Sequence, residues 1–267
     1  MHFAARLRDR QTIVGYWVAS DNPPATERLA SAGYDYICLD LQHGLLDYPG
    51  VLRGLIAVAA GGSAGVVRVP SHDPAGIGKA LDAGARAVIV PLVDTPEQAA
   101  AAAAACRYPP AGVRSYGPTR SSLTIGPAPR EADDQVACIV MIETQAGLRN
   151  AAEICAVPGV DAVYVGPSDL SLALGATDDP AAGWGRPEFT GALRDIRAAA
   201  QAAGVGCGMH CTDGDTAARA LADGFTFVSI SNDLNHVLAA GREHLARARA
   251  GLAPGAAQGQ PGTGAPA

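Results

Sequence analysis

Lysine is almost absent from the sequence, and charged residues of either sign are few. Lys79 is the one lysine among 267 residues, 17% of the residues are charged, and the net charge is −6. Binding to the phosphates of a nucleic acid requires clustered Lys and Arg side chains. The composition therefore excludes a nucleic-acid-binding protein.

Long apolar runs are missing as well. No stretch of about 18 apolar residues is free of charges and turn-forming residues, so no membrane-spanning helix is expected. The N-terminal segment MHFAARLRDR carries charges but no apolar run after them, unlike a secretion signal. We expect a cytoplasmic protein without a membrane partner.

The cysteines do not form a recognisable disulfide or metal framework. They are scattered through apolar segments, which predicts reduced and buried thiols, at Cys38, Cys106, Cys138, Cys155, Cys207 and Cys211. Cys207 and Cys211 flank His210 in the segment CGMHC, which resembles a site for a soft metal. No second cysteine pair completes a tetrahedral zinc site. We therefore interpret these residues as small core residues at the end of a strand.

Short apolar runs rich in β-branched residues alternate with longer Ala-rich segments of helical period. This alternation is typical of a parallel sheet wrapped by helices. The predicted strands span residues 12–19, 36–41, 66–69, 87–90, 137–142, 162–165, 205–210 and 225–230. The predicted helices span residues 24–32, 48–60, 74–83, 96–105, 147–154, 187–203, 215–222 and 234–250.

Eight consecutive strand and helix pairs without a linker predict one α/β domain, a (β/α)8 TIM barrel over residues 1–250. A dinucleotide-binding sheet is disfavoured because the glycine-rich segment 61–65 follows a helix and precedes a strand, the reverse of the required order. Residues 251–267 are Gly, Pro, Ala and Gln and are predicted to be a disordered tail. Residues 107–134, rich in Pro, Gly, Ser and Arg, are predicted to form an insertion over the barrel mouth.

Barrel enzymes carry their chemistry at the carboxyl ends of the strands. Five predicted strands end in, or lead directly to, polar residues that apolar packing does not explain: Gln42 and His43, Arg68, Glu143, Asp169, and His210. A carboxylate straight after an apolar run is costly to bury unless it is paired or binds a cation. These positions are the candidate site.

The two carboxylates of this set can form a metal site. Glu143 and Asp169 follow neighbouring strands, so both can reach one point above the barrel. Two carboxylates without a third protein ligand suit Mg²⁺ or Mn²⁺, which keep waters and leave positions for substrate oxygens. Alternatively, each carboxylate caps a helix or pairs with an arginine, and the spacing leaves both interpretations open.

The remaining polar residues also allow two interpretations each. Arg68 can place a fixed cation beside a carboxylate or enolate oxygen, or it can be a structural ion-pair partner. His43 is the acid–base candidate because imidazole titrates near neutrality, and Asp40 can orient it; otherwise it is an ordinary loop histidine. His210 either lines a pocket or ends a strand.

Seven short motifs follow one another with compatible gaps: DLQHG at 40–44, RVP at 68–70, LDAGA at 81–85, PLVDT at 91–95, RYPPAG at 107–112, IET at 142–144 and GPSDLS at 166–171. Together they resemble the HpcH/HpaI aldolase/citrate lyase family, closest to its metal-dependent class II pyruvate aldolases of the 4-hydroxy-2-oxoheptanedioate type. The resemblance runs from about Val14 to His236. It implies a barrel with an exchanged C-terminal helix, assembled as trimers or hexamers.

The activity that the resemblance implies is reversible carbon–carbon bond cleavage between the enolate of a 2-keto acid, pyruvate or hydroxypyruvate, and an aldehyde. The implied cofactor is a divalent metal, Mg²⁺ or Mn²⁺ with Co²⁺ as a third candidate, held by Glu143 and Asp169. Arg68 would bind the keto acid and stabilise its enolate. A lysine Schiff base is not indicated, because Lys79 lies inside a predicted helix.

The resemblance also assigns the proton transfer and the substrate contacts. His43 would move the proton on the aldol hydroxyl, supported by Asp40 and by Asp82, the latter reaching across a subunit interface. The substrate would further contact Gln42, His210 and the turn from Gly166 through Pro167 and Ser168 to Asp169. In that turn the backbone N–H groups of the residues other than proline would receive the substrate carboxylate.

One departure from the family pattern and three other activities stay open. The family often reads Asp-Gly-Glu-His where this chain has a neutral amide at Gln42. The same metal and enolate would also suit an oxaloacetate decarboxylase or a macrophomate-synthase-like enzyme. An acyl-CoA lyase would depend on the basic residues of the insertion, Arg107, Arg114, Arg120 and Arg130. A catalytically idle barrel that binds a small acid is the alternative from a different class.

Overall fold

Eight parallel strands form a closed barrel in the order of the chain. The structure is a computed structural model that describes residues 1–176, 179 and 184–250. The strands are β1 (Ile13–Val18), β2 (Tyr36–Asp40), β3 (Ala64–Arg68), β4 (Ala87–Val90), β5 (Ala137–Ile142), β6 (Ala162–Val165), β7 (Gly206–Cys211) and β8 (Phe227–Asn232). Each strand pairs with its sequence neighbours, and β1 pairs with β8 to close the ring. The predicted (β/α)8 barrel is confirmed, and each predicted strand overlaps an observed one.

Helices alternate with the strands along the chain. They are α1 (Phe3–Arg8), α2 (Pro23–Ala30), α3 (Tyr48–Gly61), α4 (Pro74–Asp82), α5 (Pro96–Ala105), α6 (Ser121–Thr124), α7 (Pro129–Gln135), α8 (Gln145–Arg149), α9 (Ala151–Cys155), α10 (Pro167–Ala173), α11 (Pro187–Ala203), α12 (Gly214–Ala222) and α13 (Asp233–Ala250). Sequence analysis missed α1, α6, α7 and α10, and the predicted helix 147–154 is divided between α8 and α9. Each missed helix is seven residues or shorter, which is too short for a clear periodic pattern.

Side chains cap the starts of several helices. The side chains of Asn22, Asp47, Asp73 and Thr95 accept hydrogen bonds from backbone N–H groups of the helices that follow them. A proline stands in the first turn of each of these helices, where it costs no hydrogen bond. Because these four helices follow β1 to β4, the caps fix the chain at the carboxyl end of the barrel.

The strands alternate between the barrel interior and the layer under the helices. On β2, Tyr36 and Cys38 belong to the inner apolar cluster, whereas Ile37 and Leu39 belong to the outer one. Successive side chains of a strand point to opposite faces, so the next inward position on β2 is Asp40. The same alternation places Arg68 on β3 and Glu143 after β5 above the inner cluster.

Helix α1 closes the amino-terminal end of the barrel. Its apolar residues Phe3, Ala4 and Leu7 are buried in the inner cluster, with Ile13 and Tyr36. The helix is fixed by Arg8, whose Nε donates to Asp161 Oδ1 at 2.6 Å and whose Nη2 donates to Val136 O at 2.8 Å. Phe3, Ala4 and Leu7 lie on one face of this helix, but its six residues are too few for that spacing to predict a helix from the sequence.

Residues 107–134 lie at the amino-terminal end of the barrel. The segment follows α5 and precedes β5, and its Arg120 N–H donates to the carbonyl of Asp82, the last residue of α4. A helix that follows a parallel strand ends at the amino-terminal side of the sheet. The prediction of an insertion over the barrel mouth is therefore wrong, because a segment between a helix and the next strand belongs to the opposite end.

Contacts divide the chain into a unit of residues 1–233 and a second unit of residues 234–267. Within the second unit, α13 continues to Ala250, and the predicted disordered tail 251–267 lies outside the described residues. The exchange of this helix between subunits stays a prediction. None of the described helices is long and apolar enough to cross a membrane.

Candidate active site

Arg68 and Asp40 form a buried, two-point ion pair at the carboxyl ends of β3 and β2. Arg68 Nε donates to Asp40 Oδ1 at 2.8 Å, and Nη2 donates to Oδ2 at 2.6 Å. The side chains of Arg68 and Asp40 are 10% and 4% exposed. Burial alone would raise the pKa of Asp40, but the hydrogen bonds and charge of Arg68 lower it below its ordinary value. Asp40 is therefore ionised, and its first partner is Arg68.

Trp17 completes this pair and was missed by sequence analysis. Its indole N–H donates to Asp40 Oδ2 at 3.2 Å, and the Arg68 guanidinium lies 5.0 Å from the ring centroid. A tryptophan face attracts a guanidinium through its quadrupole. The inward position of an amphipathic aromatic at the end of β1 was the available signal. Trp17 fixes both members of the ion pair.

Glu143 is a buried carboxylate with one oxygen free of protein partners. It follows β5, is 2% exposed, and accepts a 2.8 Å hydrogen bond at Oε1 from Leu92 N–H. Its other oxygen, Oε2, is buried and has no hydrogen-bond partner in the described part of the chain. Burial, with smaller contributions from the charges of Asp169 and Asp94, raises the pKa of Glu143 to about 7 despite the Leu92 N–H and the charge of Arg68. Such an oxygen needs a proton or a cation.

The backbone at Leu92 is shaped for this contact. Leu92 has φ of 54°, a left-handed conformation that is uncommon for a residue other than glycine. Its carbonyl lies 3.2 Å from His72 Nε2, while its N–H points to Glu143. Unusual backbone conformations of this kind concentrate at functional sites. The loop after β4 thus positions one oxygen of Glu143 and leaves the other available.

Gly166 provides the space beside Glu143. A Cβ atom built on Gly166 would lie 2.1 Å from Glu143 Oε2, so no larger residue fits without moving the carboxylate. Asp169, in the first turn of α10, is exposed, and its charge acts on Glu143. Pro167 is buried and Ser168 exposed at the same helix start. The structure therefore brings the predicted carboxylate pair to one side of the mouth.

Gln42 and His43 lie in the loop after β2. Their backbone N–H groups donate to Asp40 Oδ1 at 3.0 and 3.3 Å, so Asp40 holds the loop rather than the imidazole ring. The carbonyl oxygen of the Gln42 side chain is buried without a hydrogen-bond partner among the described residues. His43 is exposed to solvent at the mouth. The loop thus offers one unused acceptor and one accessible imidazole.

His210 points into the barrel interior beneath the ion pair. Its Nδ1 lies 3.0 Å from Ser229 Oγ, and its ring contacts the edge of Trp17 with centroids 5.4 Å apart. Burial and the charge of Arg68 lower its pKa to about 4 although Asp40 opposes this shift, so the ring is neutral near pH 7. Cys207 and Cys211 belong to the outer cluster. This separation removes the soft-metal interpretation of CGMHC.

Asp82 does not lie near the other candidate residues of its own chain. It ends α4 at the amino-terminal side of the barrel, where Arg114 Nη2 donates to its Oδ1 at 2.7 Å. Burial raises the pKa of Asp82, and Arg114 partly opposes this. Its predicted support of His43 therefore requires a second copy of the chain.

At the mouth of the barrel, the described residues provide at most two carboxylate ligands for a metal ion. No group of three or more His, Cys, Asp or Glu side chains in that part of the chain is arranged to hold an ion. A closed parallel barrel with a buried ion pair, a free carboxylate oxygen and an accessible histidine at the carboxyl ends defines an α/β-barrel enzyme.

Comparison with known proteins identifies the family to which the chain belongs. The model of the HpcH/HpaI aldolase/citrate lyase family matches residues 13–240, and the chain belongs to this family. It is 40% identical over 242 residues to the hydroxypyruvate/pyruvate aldolase of Rhizorhabdus wittichii, which covers 90% of this chain and 95% of that protein. It is 38% identical over 241 residues to the 4-hydroxy-2-oxovalerate aldolase of Rhodococcus jostii, covering 89% and 91%.

A solved structure supports the same assignment. A crystal structure of a HpcH/HpaI aldolase/citrate lyase family protein from Burkholderia cenocepacia matches with a TM-score of 0.82 and 34% identity, over 92% of this chain and 98% of that one. The relatives by sequence are aldolases, so the chain is an enzyme, a carbon–carbon lyase.

Proposed function

We propose that the chain is a divalent-metal-dependent aldolase that joins and separates a 2-keto acid enolate and an aldehyde. The observation that carries the proposal is the buried Oε2 of Glu143, which has no protein partner in the described residues and faces the space above Gly166. A buried carboxylate oxygen in that state is suited to a cation. The substrate class follows from relatives named hydroxypyruvate/pyruvate and 4-hydroxy-2-oxovalerate aldolases.

Glu143 and Asp169 would hold the metal, and the residues present fit it. Both ligands are carboxylates, Gly166 leaves room beside one of them, and the charge of Asp169 acts on Glu143. Two carboxylates with open positions suit Mg²⁺, Mn²⁺ or Co²⁺ together with substrate oxygens. A metal bound there would supply the positive charge that acidifies C3 of the keto acid near neutral pH.

Arg68 would stabilise the enolate oxygen of the substrate. Two of its nitrogens are bound to Asp40, and Nη1 has no hydrogen-bond partner among the described residues. Trp17 and Asp40 hold the guanidinium in one orientation before the substrate arrives. A donor fixed in advance where negative charge develops is the most effective form of electrostatic catalysis.

His43 would move the proton of the aldol hydroxyl, because it is the accessible imidazole of the mouth. Gln42 would donate or accept a hydrogen bond at the substrate through its unpartnered amide. The backbone of Gly166, Pro167 and Ser168 at the start of α10 would face the substrate carboxylate. Neutral His210 would act from below by supporting Trp17.

The assembly that we propose is a homo-oligomer, a trimer or hexamer, in which Asp82 of one copy reaches the site of the next. Its position at the amino-terminal end of its own barrel supports a role between copies. All six cysteines are free and buried, which suits a reducing compartment such as the cytoplasm. The acyl-CoA alternative has no support within a single chain, because the segment that carries its arginines lies at the end opposite that chain's own mouth.

Proton exchange at C3 of the keto acid tests the proposal without knowledge of the aldehyde. Pyruvate and hydroxypyruvate are incubated in D₂O with the protein and Mg²⁺, and the loss of the C3 proton signal is followed by NMR. We expect exchange that stops when EDTA is added and resumes when Mg²⁺ is restored. The assay is repeated with Mn²⁺ and Co²⁺, and these paramagnetic ions are removed before the spectra are recorded. If neither pyruvate nor hydroxypyruvate exchanges its C3 protons with any of the three metals, the proposal is contradicted.

A further inference from the structure

Two arginines at the amino-terminal end of the barrel lack the acidic partners that other buried arginines of this chain have. Arg86 precedes β4, and Arg120 precedes α6. Arg68, Arg107 and Arg114 each pair with an aspartate. Among the ion pairs of the described residues, neither Arg86 nor Arg120 has a carboxylate partner, although both side chains are half-buried. Two positive charges are therefore gathered there without compensation.

Both guanidinium groups bind only neutral acceptors. Arg86 donates from Nη1 to Gln135 Oε1 at 3.0 Å and from Nη2 to Thr124 O at 2.5 Å. Arg120 donates from Nη1 to Ala83 O at 3.0 Å and from Nη2 to Leu55 O at 3.4 Å. Burial, and in second place the charge of Arg120, lowers the pKa of Arg86, and burial lowers that of Arg120. The charged forms are thus less favourable here than in water.

Thr124 adds an unused hydroxyl to the same place. Its Oγ1 is buried and has no hydrogen-bond partner in the described residues. A Cβ built on Gly84 would lie 2.6 Å from Arg120 Nη1 and 3.4 Å from Thr124 Oγ1, so both groups flank one point above this glycine. Gly84 has φ of 100°, which favours glycine. With Arg120 in its present position, there is no room for a Cβ at this glycine.

A cavity lies between these groups. Its volume is about 330 Å³, and its lining includes Arg86, Arg120, Thr124, Ser63 and Gly84. Ligand pockets of proteins begin at about this size. An anion with several oxygens can accept hydrogen bonds from two guanidinium groups and a hydroxyl at once, and arginine matches phosphate in geometry as well as charge.

We propose that Arg86, Arg120 and Thr124 form a binding site for a phosphate group, on the side of the barrel opposite the catalytic mouth. The phosphate binding does not rest on the proposed aldolase chemistry, although the site lies next to Asp82, whose carbonyl accepts a hydrogen bond from Arg120 N–H. Arg86 belongs to the barrel, whereas Arg120 and Thr124 belong to the segment 107–134. A bound phosphate therefore joins that segment to the barrel wall and compensates both charges.

Isothermal titration calorimetry of the full chain with inorganic phosphate, at constant ionic strength, tests the site. We expect one phosphate per chain, and no detectable binding after Arg120→Gln. Thr124→Val removes the hydroxyl but keeps the shape of the side chain, and it should weaken the affinity about tenfold, since a hydrogen bond to a charged group is lost. Because that hydroxyl has no protein partner, the variant should unfold at the same temperature as the wild type without phosphate.

Arg130→Gln is the matched control, since Arg130 is exposed on α7 in the same segment. It should bind phosphate as the wild type does. If phosphate binds the Thr124→Val and Arg120→Gln variants as well as it binds the wild type, it binds elsewhere and the proposal is overturned. The proposal is also overturned if the wild type binds no phosphate at a phosphate concentration on the order of 10 millimolar, which would detect even weak affinities.

The source of the phosphate group is distinguished by a second titration with a phosphomonoester such as glycerol 1-phosphate. Tighter binding of the ester than of inorganic phosphate assigns the rest of the cavity to the organic part of the ligand. Binding of inorganic phosphate alone assigns the site to the free ion. A preference for malonate over both phosphates would instead assign a dicarboxylate and overturn the proposal.

Discussion

Arg68 binds both carboxylate oxygens of Asp40, with Nε 2.8 Å from Oδ1 and Nη2 2.6 Å from Oδ2. This relationship fixes the orientation of the guanidinium before any ligand enters. It also means that the charge of Arg68 is largely compensated within the protein, so the electrostatic effect on a substrate comes mainly through Nη1. A planar group with five donors can do both tasks at once, whereas an ammonium group cannot.

Arg68→Ala should lower turnover on the order of 10²-fold or more, as the loss of an oxyanion partner does. Arg68→Lys should recover only a small part, because one ammonium group cannot bridge both oxygens of Asp40 and still reach the substrate. Steady-state rates with a 4-hydroxy-2-oxo acid test this. The double variant Asp40→Asn/Arg68→Gln controls for the unpaired buried charge, which alone can cost about 3–5 kcal/mol. Full activity of Arg68→Lys would contradict the proposed role.

Glu143→Gln should abolish metal-dependent exchange at C3 of pyruvate, because an amide cannot replace the negative oxygen beside Gly166 as a metal ligand. The measurement is the NMR exchange assay together with Mn²⁺ binding followed by electron paramagnetic resonance. Glu153→Gln is the matched control, since Glu153 is exposed on α9. Undiminished Mn²⁺ binding by the Glu143 variant would remove Glu143 from the metal site.

The metal-free protein should lose stability as the pH rises from about 4.5 to about 7. The folded-state pKa of Glu143 is raised to about 7 from 4.5, mainly by burial, so protonated Glu143 favours the folded state at low pH and this contribution disappears as the carboxyl ionises. The unfolding free energy should fall by about 3 kcal/mol over this window.

Urea unfolding at fixed protein concentration, with EDTA present, measures the effect. In the Glu143→Gln variant this part of the pH dependence should be absent, and saturating Mg²⁺ should flatten the profile of the wild type. An identical slope in wild type and variant would show that another group titrates.

Gly166→Ala should weaken metal binding while the barrel still folds. The new Cβ would lie 2.1 Å from Glu143 Oε2 and must displace that carboxylate. Gly78→Ala is the control, since a Cβ there meets nothing within 4 Å. Mn²⁺ affinity is the direct measurement, and circular dichroism verifies the fold. Equal affinity in both variants would mean that Oε2 does not face the metal.

His43→Ala should damage aldol cleavage more than enolate formation. The imidazole is at the solvent-exposed mouth, and its proposed proton belongs to the aldol hydroxyl rather than to C3. The ratio of the cleavage rate to the C3 exchange rate should therefore fall by about 10²-fold, the usual contribution of a general base. A parallel loss of both rates would assign the histidine to another step.

The barrel could be predicted because apolar runs alternate with helical segments along the chain, and the polar candidates because each stands at the end of such a run. Asp40, Arg68 and Glu143 each come directly after apolar residues at the end of a run, and the alternation places them inside. Residues that act through distant backbone groups could not be predicted in this way. The contact of Leu92 N–H with Glu143 depends on a left-handed residue 51 positions away in the chain.

The interpretation of residues 107–134 was wrong for a related reason. The composition of this segment indicated a functional loop, but composition does not show at which end of the barrel a segment lies. The order of elements does: α5 precedes the segment and β5 follows it, which puts it at the amino-terminal end. Trp17 was missed because its hydrogen bond to Asp40 joins the neighbouring strands β1 and β2, and a pattern within one strand does not describe a contact with the next. Local sequence patterns locate the ends of strands, whereas the partners of each side chain can be identified only from the closed barrel.

The position of α1 also bears on how a gene for such a protein is read. Phe3, Ala4 and Leu7 seal the barrel floor, so α1 is part of the folded core. A chain without residues 1–9 would keep all eight strands, but the inner side chains of Ile13 and Tyr36 would meet water. Among related genes, conservation of three apolar residues in front of β1 would distinguish true starts from misassigned ones.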